Sequence, residues 1–102
     1  MTTYYNEIAI AIEPGLDQAA FDAAVDTMYA SIADDDRITS VDVATDGTSL
    51  ISLFFTADRT DGVAPDPKLT LDLAKKGLDA APELVFRVPD YVDEIEWGHA
   101  MA

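Results

Sequence analysis

The strongest constraint on the fold is a change of hydrophobic period near the start of the chain. Residues Glu7 to Glu13 alternate, so that Ile8, Ile10 and Ile12 share one face of a strand and Ala9 and Ala11 the other. Pro14-Gly15 interrupts that pattern. From Leu16 onward, Ala20, Phe21, Ala24, Val25, Met28, Tyr29 and Ile32 recur at steps of three and four, the stripe of an amphipathic helix. Asp17, Asp22 and Asp26 occupy its other side. Phe21, Met28 and Tyr29 are therefore expected in the core.

The rest of the chain repeats the alternation of element types. Ile38 to Thr45 reads as a second strand through Val41 and Val43, and Asp46-Gly47 supplies a hairpin turn before a third strand from Ser49 to Ala57. That third strand is apolar on both faces, which marks an interior position. Asp66-Pro67 resembles a helix start, Leu69, Leu73 and Leu78 mark a second apolar stripe, Pro82 stops it, and Leu84 to Val88 forms a fourth strand. The order β-α-β-β-α-β resembles the ferredoxin-like α+β sandwich, a four-stranded antiparallel sheet with two helices on one face. This resemblance rests on element order alone. It places the first and third strands at the centre, with Ile8, Ile10, Ile12, Ile51, Leu53 and Phe55 toward the helices and Ala9, Ala11, Leu50, Phe54 and Val85 behind them.

With 102 residues, about half of them apolar, the chain is expected to form one domain spanning 1–102, in which 90–102 is a mobile tail or an additional edge element. The apolar sheet back needs a cover. Either the tail crosses it or adds a C-terminal strand, or two copies meet back to back in a homodimer through Leu50, Phe54, Val85 and Arg87.

Charge limits the partners. Twenty acidic residues stand against six basic ones, a net charge of -14, with 15 Asp to 5 Glu. A field of that sign repels phosphates and anionic lipid, so direct nucleic-acid binding and a membrane role are not expected. The absence of cysteine removes disulfides, thiolate nucleophiles and thiolate zinc sites and fits a cytoplasmic protein. No basic leader opens the chain and no apolar run is long enough to span a bilayer.

No catalytic motif, cofactor site or metal site emerges. His99 is the sole histidine, near the C-terminus, and is read as an ordinary tail residue. Neither Asp34-Asp35-Asp36 nor Asp58, Asp61 and Asp66 follows an EF-hand spacing, and both groups read as solvated loop carboxylates. Gly47, Gly62 and Gly77 are isolated rather than gathered in a phosphate loop. Tyr4, Tyr5, Tyr91 and Trp97 either pack at a sheet edge or anchor a partner.

The expectation is a non-enzymatic acidic module that docks a basic protein surface, with Asp22, Asp26, Asp34, Asp35, Asp36, Tyr91 and Trp97 as its contact residues, as a nucleic-acid mimic or inhibitor in one form. The alternatives are a structural or assembly subunit, and a small dimeric enzyme or ligand-binding domain with a pocket between sheet and helices.

Overall fold

A computed structural model describes residues 1–87 and 97–99, with side chains through Val85 and at Trp97. Its elements are β1 (Thr2–Ile12), α1 (Gln18–Ala33), β2 (Ser40–Asp46), β3 (Leu50–Arg59), α2 (Leu69–Ala80), β4 (Phe86–Arg87) and β5 (Gly98–His99). The strands order as β2-β3-β1-β4, all neighbours antiparallel, with β5 also on β1. This is the ferredoxin-like arrangement, with β1 and β3 inside as the sequence predicts.

β1 starts earlier than its isoleucines suggest, because the alternation continues back through Tyr4 and Asn6. It pairs with β3 without interruption from Thr2↔Arg59 to Ala11↔Leu50. Ile8, Ile10, Ile12, Ile51, Leu53 and Phe55 are buried toward the helices together with Val41 of β2. Phe21, Met28 and Ile32 of α1 and Leu69, Leu73 and Leu78 of α2 complete the core. Each such side chain stabilises the fold by about 1.5–3 kcal/mol through removal from water.

Local chemistry sets the element ends. Gly15 takes φ +145° after Pro14, a conformation that L side chains rarely adopt, and stops β1. Asp17 is the N-cap of α1 rather than part of its polar face, its Oδ1 accepting from the Ala20 N–H at 2.8 Å. Gly47 at φ +60° opens the turn between β2 and β3, with Asp46 and Leu50 as the closing pair. α2 begins two residues beyond the predicted Pro67, because Asp66 Oδ1 instead accepts from the Lys68 N–H at 2.8 Å in a turn of its own.

The two helices approach closely at Gly77. A methyl group there would meet Met28 Cγ at 2.6 Å, and Met28 has no exposed surface into which to retreat. Gly77 is thus a contact residue between α1 and α2.

Trp97 packs beside Phe55, ring centroids 6.3 Å apart, and the following residues pair as Gly98↔Tyr5 and His99↔Tyr4. The expected extra C-terminal strand is present as this short pairing, on the same β1 edge as β4. The Trp97 indole Nε1 is buried with no hydrogen-bond partner among the described residues. The predicted fourth strand is seen at Phe86–Arg87, and Tyr91 lies outside the described residues.

Candidate functional site

Antiparallel pairing sorts the side chains of the sheet into two faces. One face is filled by the helices. The other carries Thr3, Tyr5, Glu7, Ala9 and Ala11 on β1, Leu50, Ser52, Phe54 and Thr56 on β3, and Ser40, Asp42, Ala44 and Asp46 on β2. Phe54 is 39% exposed, Tyr5 and Val85 are exposed and Leu50 is half-buried, so no described residue covers this apolar strip. Arg87 enters β4 opposite Ala11, and its side chain is outside the described set.

The register makes a specific row across the sheet back. Asp42 of β2 stands opposite Phe54 of β3, which stands opposite Glu7 of β1. An exposed aromatic ring is thus flanked on both sides by carboxylates. These three residues and Tyr5, Asn6, Phe55 and Thr56 line an open depression of about 580 Å³.

A second depression of about 330 Å³ lies between α1 and β2, lined by Asp22, Val25, Asp26, Tyr29, Asp42, Val43 and Thr45. Asp22 and Asp26, four apart, share a helix face, and Tyr29 follows three residues later. Tyr29 is 40% exposed, which corrects its assignment to the core. The ring lines the groove between α1 and β2 instead. Here too an aromatic ring sits beside paired carboxylates. Asp42 borders both depressions, joining them across the β2 edge.

The acidic run after α1 behaves differently from its reading as solvated carboxylates. Asp34 is the C-cap of α1 and Asp36 is exposed, but Asp35 is buried. Its carboxylate accepts from Arg37 N at 3.0 Å, Arg37 Nε at 2.9 Å, Arg37 Nη2 at 2.8 Å and Lys76 Nζ at 2.9 Å. The Arg37 side chain above all, then its N–H and Lys76, hold the Asp35 carboxyl well below the usual carboxylate range, against the opposing effect of burial. Arg37 is raised in turn, chiefly by its hydrogen bonds to Asp35. Negative charge at a helix C-terminus, unfavourable alone, is compensated here by two cations. Asp35 therefore serves to join α1 to α2 and is removed from the predicted contact residues. Trp97, also expected there as an anchor, is withdrawn into the core beside Phe55.

The second acidic group is engaged as well, with Asp58 in β3 rather than in the expected loop. Thr3 Oγ1 donates to Asp58 at 2.6 Å, and Asp61 accepts from the Val63 N–H at 2.9 Å. Among the described residues no group of three His, Cys, Asp or Glu is placed to hold a metal ion, and no helix is long and apolar enough to cross a membrane.

The described cationic side chains lie elsewhere. Arg37 and Arg59 line a separate recess of about 250 Å³ with Pro65, Asp66, Leu69 and Asp72, while Lys68, Lys75 and Lys76 precede or belong to α2. No described Lys or Arg side chain borders either acidic depression. Glu7, Asp22, Asp26 and Asp42 take part in no ion pair among the described residues. The sequence pattern identifies Asp22 and Asp26, but Glu7 and Asp42 become partners of Phe54 only through strand register.

No family model matches the sequence, and no curated protein or solved structure is significantly similar to it.

Proposed function

We propose that this chain is a non-enzymatic interaction module that docks a basic protein surface through the face formed by α1, the β2 edge and the sheet back. The observation that supports this reading is the repeated pairing of an exposed aromatic ring with two carboxylates: Phe54 between Asp42 and Glu7, and Tyr29 beside Asp22 and Asp26. A Lys or Arg side chain meets both demands of such a spot, laying its stem or guanidinium on the ring while its charge faces the carboxylates. The summed field accelerates encounter, and the aromatic rings supply the contact that persists.

Charge also favours a basic partner over a second copy. Back-to-back packing of two chains would cover Phe54 and Leu50, but it would bring Glu7 and Asp42 of one copy toward the like charges of the other. A homodimer through Leu50, Phe54 and Val85 is the second reading, favoured by the uncovered apolar strip.

The test is capture from native lysate at moderate and high salt with the wild type and with the combined charge reversal Asp22→Lys, Asp26→Lys and Asp42→Lys, followed by crosslink mapping on the captured protein. The reading expects a stoichiometric basic protein, crosslinked beside α1 or β2, lost at high salt and lost with the variant. Equal capture by both proteins contradicts it, and a concentration-dependent dimer with crosslinks across Phe54 gives the second reading.

A further inference from the structure

Resting on the interaction reading above, we propose a mode of docking: the outer edge of β2 takes up an extended cationic segment of the partner as an added strand. β2 is the last strand on its side of the sheet. Its inner side pairs with β3 over all seven residues, from Ser40↔Thr56 to Asp46↔Leu50, without a bulge. No described strand lies on its outer side, and both β4 and β5 attach to β1 at the opposite edge. The outer N–H and C=O groups of β2 thus form an open template for another backbone.

Apart from charge, the usual protections of such an edge are missing. Ser40–Asp46 contains no proline and no lysine, it is not shortened, and it is regularly paired. Its guards are Asp42 and Asp46. Two copies meeting edge to edge would set those carboxylates against each other, so the guard excludes a second copy of this chain while leaving a cationic strand free to pair. Charge complementarity therefore selects the occupant.

The two depressions fit the same geometry. One lies between α1 and β2, and the other lies over β1 and β3 and reaches β2 at Asp42, which borders both. Successive side chains of an added strand point to opposite faces. One set would reach Asp22, Asp26 and Tyr29, and the alternate set would reach Asp42 and Phe54. Main-chain hydrogen bonds would supply affinity, and the carboxylate and aromatic spots would supply the choice of side chains.

The probe is a nine-residue peptide of alternating lysine and valine, compared with the same peptide methylated at every backbone nitrogen, which keeps the charges and removes the N–H donors. Binding by calorimetry is read with amide hydrogen exchange of the full chain. The proposal expects the methylated peptide to bind at least about tenfold more weakly, and the unmodified peptide to slow exchange at alternate β2 amides. Equal binding of both peptides, with resonance changes confined to Asp22, Asp26, Tyr29 and Phe54, would overturn strand addition and leave the acidic docking face intact. Failure of both peptides to bind in low salt would remove the docking face as well. Protection of β2 that grows with protein concentration in the absence of peptide would assign the edge to a second copy and overturn the proposed occupant.

Discussion

Replacing Asp35 by Asn is expected to weaken the fold by about 2–3 kcal/mol at neutral pH. Asp35 accepts four hydrogen bonds, and its side chain is 4% exposed, whereas those of Arg37 and Lys76 are 47% and 46% exposed. Breaking a fully buried ion pair costs roughly 3–5 kcal/mol because the remaining charge is stranded. Here the two cations regain water readily, which lowers the figure, while the loss of charge-assisted bonds to a buried acceptor keeps it above that of a surface pair. For a chain of this length the change corresponds to a fall in Tm of about 10–20 °C. Urea unfolding of wild type and variant, followed by the fluorescence of Trp97, measures it directly. An unchanged slope with a lower midpoint is the expected pattern. A difference below about 0.5 kcal/mol would refute the reasoning, as it would place Asp35 among ordinary surface pairs.

The same pair fixes the sign of a pH effect. The folded-state pKa of Asp35 is depressed, so its contribution is fully present above the ordinary carboxylate value of about 4 and is lost as pH falls through the lower folded value. The gap between wild type and Asp35→Asn should therefore narrow steadily below about pH 4, even as protonation of other carboxylates relieves self-repulsion in both proteins; a constant gap down to pH 2 would contradict it. Gly77→Ala should cost about 1 kcal/mol in denaturant unfolding despite the better helix propensity of alanine, because the added methyl enters the space of Met28; a gain in stability would show that Met28 repacks freely. Trp97→Phe should stay within about 1 kcal/mol of wild type, since it removes a buried N–H with no partner among the described residues along with some ring, while Trp97→Ala should lose about 3–5 kcal/mol. Their thermal midpoints, read by circular dichroism, distinguish the two cases. Tyr29→Ala should change stability by less than about 1 kcal/mol and weaken capture of the basic partner, a combination that a core tyrosine would not give.

The elements that could be read from the sequence are those with one dominant period. Ile8, Ile10 and Ile12, the stripe from Phe21 to Ile32, and the doubly apolar run from Leu50 to Phe55 each admit one structure, and together they determine the central positions of β1 and β3. The pattern misleads where a residue has a local alternative. Asp66 and Pro67 form a turn before α2 rather than its cap, and Asp35 looks like any loop carboxylate until Lys76, 41 residues away, is brought to it. Tyr29 keeps the helical spacing of a core residue but lines the open groove between α1 and β2. The proposed docking face is half legible. Helical spacing alone puts Asp22 beside Asp26, but the row Asp42, Phe54 and Glu7 depends on the pairing of three strands distant in sequence, which composition does not encode.

The central claim is that carboxylates around exposed aromatic rings receive a basic partner. The most direct measurement is the affinity of the captured partner over a series of salt concentrations, for the wild type and for the combined variant Asp22→Asn, Asp26→Asn and Asp42→Asn. The claim predicts a steep decline with salt for the wild type, a shallower one for the variant, and convergence near 1 M, where charges interact over only about 3 Å. Parallel curves with equal affinities would contradict it, because binding would then owe nothing to this face.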